Sequence, residues 1–328
     1  MLKSIILTVV TCMLLYSCNN NQQEAKSVTN SDSISGKLTI FHAGSMSVPL
    51  KKIANEFQKE NPEVEILLEA AGSRECARKI SDLNKECDVM VSADYAVIDD
   101  LLIPKFASWN IKFASNEMVI AYNEKSRYSK EINAQNWYNV LLKKDVAFGR
   151  SDPNSDPCGY RSVLTVKLAQ LYYNENGLVD RILIKDNNYI RPKEVDLLSL
   201  LELHTIDYIF IYRSVAEQHD LKYISLSDSI NLRDTAFSEY YKTASIEVSG
   251  KKPGETTTIY GEPMVYGITM IKNAPNNQAA IAFLKFFLNK EKGMKIIEAD
   301  GQISVIPSKS EYYEVTPDEL KEFVKKQD

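Results

Sequence analysis

Lys37-Leu-Thr-Ile-Phe-His-Ala-Gly-Ser45 sets a pattern that returns at Val64-Glu-Ile-Leu-Leu-Glu-Ala-Ala-Gly-Ser73 and, shortened, at Asp88-Val-Met-Val-Ser92. Each stretch is rich in apolar and β-branched residues and ends in turn formers, the signature of a strand. Between the first two, Val48, Leu50, Ile53, Ala54 and Phe57 fall at helical spacing, and Asn61-Pro62 stops the helix. After the second, Cys76 to Leu83 continues as a helix. The order βαβαβ implies a parallel sheet whose binding loops lie at the carboxyl ends of the strands.

Further along, Met118-Val-Ile-Ala-Tyr122 and Met264-Val-Tyr-Gly-Ile-Thr-Met-Ile271 read as long buried strands. A second α/β set lies between them: Val146-Ala-Phe-Gly149, a helix from Ser162 to Tyr173, and the strand Ile206 to Tyr212. Two more helices follow, over Gln278 to Asn289 and Lys290 to Ala299. The expected architecture is α/β with two lobes, residues 37–121 with 265–328 and residues 122–264. Two crossing strands form a hinge between them, with a ligand in the cleft.

The N-terminus reads as an address. Lys3 is the only charged residue before Glu24, and the apolar run from Ile5 to Tyr16 is too short for a mature spanning helix but suits a signal peptide. It ends Leu14-Leu-Tyr-Ser-Cys18, the lipobox arrangement of bacterial lipoproteins apart from the bulky Tyr16. Residues 1–17 are therefore expected to be removed and Cys18 lipidated. The other reading is an ordinary secretory signal with a chance Cys. Residues 18–36, rich in Asn, Gln and Ser, suit a flexible tether.

The chain is 44% hydrophobic and 25% charged, which excludes a disordered chain and a polytopic membrane protein. Lys and Arg number 39 against 44 Asp and Glu, a net charge of −5 that disfavours nucleic acid as a partner. A small anion remains open, because a few local donors can hold one. After Cys18 only Cys76, Cys87 and Cys158 remain, so at most one bridge forms. Cys76 and Cys87 read as thiols rather than as a bridge.

Gly44-Ser45 and Gly72-Ser73 occupy equivalent places, each at a strand end before a helix. Glycine allows close approach of backbone to ligand, and a Ser hydroxyl with the free N–H groups of a first helical turn supplies donors. Either Ser alone could simply cap its helix; the pair suggests an uncharged oxyanion socket. Ser151-Asp-Pro-Asn-Ser-Asp-Pro-Cys-Gly-Tyr-Arg-Ser162 is a third polar turn between a strand and a helix.

Four stretches carry a family likeness: Ile40-Phe-His-Ala-Gly-Ser-Met-Ser-Val-Pro49, Glu69-Ala-Ala-Gly-Ser-Arg-Glu-Cys-Ala-Arg-Lys-Ile80, the loop Ser151 to Ser162, and Tyr212-Arg-Ser-Val-Ala-Glu-Gln-His219. Together, and in this order, they resemble the tungstate/molybdate-binding proteins of ABC importers, in the branch best known from archaea. The likeness runs from about Lys37 to Tyr313. It implies a periplasmic-binding-protein fold of type II closing on one oxyanion, with the permease and its ATPase as partners. It implies no cofactor beyond the tungstate or molybdate ligand, and the chain is expected to act as a monomer. By motif, Gly44, Ser45 and Ser73 match the first-lobe donors; Asp156, with Pro157 and Cys158, matches the second-lobe loop; Glu194 and Tyr212 match the remaining positions. The stretch between Ser162 and Arg191 is shorter than in the family, which leaves Glu202 and Glu217 as alternative carboxylates.

Acids beside an oxyanion need a reason, since buried carboxylates repel a dianion. The family implies that Asp156 and Glu194 coordinate the metal at the centre of the oxyanion, which expands beyond four oxygens as sulfur and phosphorus do not readily do. The competing readings are a receptor for sulfate or phosphate, an enzyme and a structural lipoprotein. No G-x-S-x-G, H-E-x-x-H or P-loop motif supports an enzyme, leaving only a Cys158 nucleophile with His42 or His219 as base. His204 and His219 have no metal-ligand spacing. Arg74, Arg78, Lys79 and Arg161 could steer anions or simply be solvated.

Overall fold

The βαβαβ order forms as expected. The computed structural model describes residues 34–327 apart from residue 253. The signal segment 1–17, Cys18 and nearly all of the tether lie outside the described residues. In chain order come β1 (Gly36–Ala43), α1 (Ser47–Glu60), β2 (Val64–Ala71), α2 (Ser73–Ser81), β3 (Val89–Ser92), α3 (Tyr95–Leu101) and β4 (Ile111–Ser115). The chain then crosses at Asn116-Glu117 into β5 (Met118–Tyr122), α4 (Trp137–Leu141), β6 (Phe148–Ser151), α5 (Pro157–Tyr172), β7 (Ile190–Arg191), β8 (Tyr208–Tyr212) and β9 (Lys222–Ser225). A hairpin of β10 (Ser245–Ser249) and β11 (Thr256–Tyr260) follows before the return through β12 (Val265–Met270) and β13 (Ile303–Ser304).

Two sheets result. The first has the order β13-β4-β12-β3-β1-β2, with β1 parallel to β2 and β3 and with β12 antiparallel to β3 and β4. The second has the order β7-β6-β8-β5-β9, with β7, β6 and β8 parallel and β5 antiparallel to β8 and β9. We call each sheet with its helices a lobe. One boundary differs from expectation: strand β5, expected in the first lobe up to residue 121, pairs from Met118 to Tyr122 with β8 in the second sheet. The crossing therefore falls before Met118. Strand β4, absent from the sequence reading, is the true last strand of the first sheet before it.

The first lobe packs helices on both faces of its sheet. On one, Phe57 of α1 meets Phe283 and Phe286 of the Asn277–Leu288 helix edge-on at 5.4 and 5.5 Å, geometry that favours aromatic rings. On the other, Cys76, Ala77 and Ile80 of α2 pack with Val97 and Ile98 of α3 against Phe41 and Met90. In the second lobe α5 is buried over all of its first ten residues. That is the pattern of a helix enclosed on all sides, and it sets the start of α5 between the two sheets. Among the described residues no helix is long and apolar enough to cross a membrane. Cys76, Cys87 and Cys158 are all free and buried.

Candidate functional site

Register explains the matched Gly-Ser turns. Ala43, the last residue of β1, lies opposite Ala71, the last of β2. Gly44-Ser45 and Gly72-Ser73 thus leave the sheet side by side. Ser45 sits in a single 3-10 turn, Gly44–Met46, and Ser73 is the first residue of α2 behind Gly72. Strand ends also place the second-lobe residues. β7, β6 and β8 are parallel neighbours; Glu194 and Asp156 come just beyond the carboxyl ends of β7 and β6, and Tyr212 is the last residue of β8. Asp156 caps α5, accepting from the Cys158 N–H at 3.3 Å, and Pro157 takes the first helical position where its missing N–H costs nothing.

The two sets meet. Ser45, Ser73, Asp156, Glu194 and Tyr212 are each at most 1% exposed. A Cβ on Gly44 would stand 3.0 Å from Glu194 Oε2 and 3.2 Å from Oε1, so the missing side chain is what admits the carboxylate. A Cβ on Gly72 would stand 2.2 Å from the carbonyl oxygen of Ser155. That same carbonyl accepts from the Glu75 N–H at 3.2 Å, tying the second-lobe loop to the first turn of α2.

All three hydroxyls are set as donors. Ser73 Oγ accepts from the Ala93 N–H at 2.9 Å. Tyr212 Oη accepts from Arg161 Nη1 at 3.2 Å. Ser45 Oγ accepts from Tyr266 Oη at 3.2 Å, and Tyr266 Oη accepts in turn from Asn116 Nδ2 at 3.1 Å. A hydroxyl has one hydrogen and two lone pairs. With an acceptor site filled from behind, each keeps its hydrogen for something in front.

The acids are the costly part. Asp156 Oδ2 accepts from the Glu194 N–H at 3.1 Å, so the two residues are linked directly. Among the described residues neither Glu194 Oε atom has a hydrogen-bond partner, although both are buried. Burial raises the pKa of Asp156, against the pull of the Cys158 and Glu194 N–H groups. Burial and then the proximity of Asp156 hold Glu194 well above the ordinary carboxylate range. Two carboxyls in one dry enclosure carry two negative charges only if a positive centre joins them.

The remaining candidates fall elsewhere. Cys158 is fully buried, its Sγ 3.7 Å from the Phe210 carbonyl oxygen, and burial raises its pKa well above that of a free thiol. It is not set up as a nucleophile. Glu202 and Glu217 are exposed, and Glu217 pairs with Arg213 at 3.0 Å. His42 is buried with Nδ1 2.8 Å from the Ala43 carbonyl oxygen, and burial lowers its pKa. Arg74 and Arg78 donate to the Ser249 carbonyl, and Lys79 pairs with Glu69 at 2.8 Å. Sequence reasoning missed Asn116, Tyr266 and Asp94. They lie on or beside the crossings and the end of β3, and no local motif marks them.

A family model described as bacterial extracellular solute-binding protein matches residues 38–302. The chain is 50% identical over 297 residues to a protein of Petrotoga mobilis named an uncharacterized solute-binding protein, covering 90% of this chain and 92% of that one. It is 44% identical to the molybdate/tungstate-binding protein WtpA of Pyrococcus abyssi, covering 88% and 90%. Among solved structures, the periplasmic molybdate-binding protein of Azotobacter vinelandii aligns with a TM-score of 0.60 at 16% identity, over 81% of this chain and 98% of that one. The sulfate-binding protein SubI of Mycobacterium tuberculosis aligns at 0.58 and 13%, over 82% and 87%. Both structures share the fold of this chain, and on the match over residues 38–302 the chain belongs to the family of bacterial extracellular solute-binding proteins.

Proposed function

We propose that this protein captures tungstate or molybdate between its lobes and delivers it to the permease and ATPase of an ABC importer. The observation that carries the reading is Glu194. Its carboxylate is buried against Gly44 with both oxygens unpartnered among the described residues, and its backbone N–H donates to Asp156. In this reading Ser45, Ser73 and Tyr212 donate to the oxo groups, while Asp156 and Glu194 coordinate the metal of the oxyanion. Sulfate and phosphate offer no such centre, so the two acids repel them. The name of the 44% identical relative supports the same ligands.

The mechanism is a closing trap. The anion docks on the Gly-Ser turns, the second lobe swings in with Asp156, Glu194 and Tyr212, and the permease engages the closed form. Ligand shifts a population, and no bond is made or broken in the protein. The chain acts as a monomer without a resident cofactor, held at the outer face of the membrane by lipid on Cys18. Nanomolar affinity needs about −12 kcal/mol.

Calorimetric titration of the chain from residue 19 with tungstate, molybdate, sulfate and phosphate tests this. Tight binding of the first two alone supports it. Preferential binding of sulfate or phosphate would retire the roles of Asp156 and Glu194 and favour a receptor for another small oxyanion.

A further inference from the structure

A buried charge pair outside the anion site spans the two lobes. Arg161, on α5 of the second lobe, is 2% exposed; Asp94, just beyond β3 of the first, is 3% exposed. Arg161 Nη2 lies 3.1 Å from Asp94 Oδ2. Arg161 Nη1 donates to the Ala93 carbonyl at 2.7 Å and to Tyr212 Oη at 3.2 Å. Tyr160, its neighbour on α5, donates its hydroxyl to the same Asp94 Oδ2. Asp94 Oδ1 meanwhile caps α3 through the Ala96 N–H at 3.0 Å.

The residues bridged are those that hold the anion donors. Ala93 receives Arg161 on its carbonyl and gives its N–H to Ser73 Oγ. One guanidinium is therefore connected to Ser73 in the first lobe through a single residue and to Tyr212 in the second directly. Nη1 serves both while Nη2 faces Asp94, a spread over the two nitrogens of one planar fork that a single lysine ammonium cannot reproduce.

We propose that Arg161, with Asp94 and Tyr160, is an interlobe latch that positions Ser73 and Tyr212 on one anion and sets how long the closed state lasts. The contacts exist only with the lobes together. When they part, both charges return to water, so the desolvation cost and the attraction of the pair are both confined to the closed form. A buried pair of this kind adds little net stability but admits one geometry. The latch predicts slow release rather than fast capture, because docking on the Gly-Ser turns precedes its formation. The inference rests on the reading of Ser73 and Tyr212 as anion donors.

The test uses three variants of the chain from residue 19. Asp94→Asn keeps the α3 cap, since Asn caps as well as Asp, but removes the charge. Tyr160→Phe removes one hydroxyl. Arg161→Lys keeps the charge and loses the fork. Tungstate association and dissociation are followed by stopped flow. The ligand-free interlobe distance is read between spin labels at the exposed sites of Lys59→Cys and Asn176→Cys. For Asp94→Asn and Arg161→Lys, we expect the release rate to rise roughly tenfold or more, association to change less than about twofold, and the distance distribution to widen. Tyr160→Phe should move the same way by a smaller factor, with the melting temperature lowered by no more than about a few degrees. Rescue of release by lysine would overturn the latch, since a plain positive charge would then suffice. So would Tyr160→Phe and Asp94→Asn variants that fold, stay closed and release at the parent rate. The ligand-free distance is independent of the anion. If the parent chain binds no oxyanion while Asp94→Asn still opens it, the ligand reading and the positioning of anion donors fail, and only the hold on the closed state stands.

Discussion

Asp156 Oδ2 accepts the backbone N–H of Glu194 at 3.1 Å, so the two acids of the site are fixed to one another by main chain as well as by burial. Asp156 also caps α5 through Oδ1. Its carboxylate thus has one oxygen committed to each neighbour, and its orientation is set before any ligand arrives.

Replacing Asp156 separates the two duties. Asp156→Asn keeps an oxygen for the cap and removes the negative charge. Asp156→Ala loses both, with about 1 kcal/mol of helix stability going with the cap. For either variant, tungstate affinity should fall by ~3 kcal/mol, roughly a hundredfold. Sulfate affinity should be unchanged or rise, since a repelling charge is gone. Equal losses for both anions in parallel titrations would remove metal coordination from the account.

Gly72 tests closure without touching the chemistry. Its backbone is extended at φ −60° and ψ 142°, a conformation open to alanine. The obstacle is the Ser155 carbonyl, 2.2 Å from where Cβ would stand. A backbone carbonyl already bonded to the Glu75 N–H cannot swing aside. Gly72→Ala should therefore melt close to the parent chain while losing most of its tungstate affinity and showing a wider ligand-free interlobe distance. A variant that binds normally would mean that the 152–156 loop is free to retreat.

The parts of this fold that could be read in the sequence were the local ones. The βαβαβ order from Lys37 to Ser92 follows from apolar spacing and turn residues within about 60 positions, and the two Gly-Ser turns stand out because β1 and β2 end alike. Placing β5 needed its partner. Nothing in Met118-Val-Ile-Ala-Tyr122 says that it pairs with Tyr208–Tyr212, some 90 residues on, rather than with β4 beside it. Both acids are legible only through the family likeness: Asp156 caps α5 before Pro157, and Glu194 opens a short 3-10 turn with no periodic pattern. Asp94 escaped notice because its partner, Arg161, lies on another lobe.

Glu262 gives a pH dependence of definite sign. It lies on the return crossing, where Tyr95 Oη donates to its Oε2 at 3.1 Å. Burial, and then the nearby Asp94 charge, push its carboxyl up to about 7, against the opposing influence of Arg161, Tyr95 and Lys112. A carboxyl raised on folding favours the folded state while protonated. That stability is present below the ordinary Glu value and lost as pH rises through about 7. Urea unfolding from about pH 8 to about pH 6 should show the parent chain gaining on Glu262→Gln by at most about 1.4 kcal/mol per pH unit. Parallel pH profiles for the two would place this carboxyl in an ordinary solvated state.

Tyr266 separates a relay from a direct contact. It sits on β12, the returning strand, and passes a hydrogen bond from Asn116, at the outgoing crossing, to Ser45. The ring packs edge-on to Phe113 at 5.8 Å and to Tyr212 at 6.2 Å, contacts that phenylalanine keeps. Tyr266→Phe therefore deletes only the hydroxyl. The buried Asn116 Nδ2 retains Ser214 Oγ at 2.7 Å, so stability should fall by about 1 kcal/mol. Ser45 Oγ loses the donor behind it and its hydrogen becomes free to turn away from the anion. Tungstate affinity should drop roughly tenfold, less than for Ser45→Ala, which removes the donor itself. In the double variant the two losses should not add, because both act on one hydrogen. Additive losses would mean that Tyr266 acts on the anion independently of Ser45.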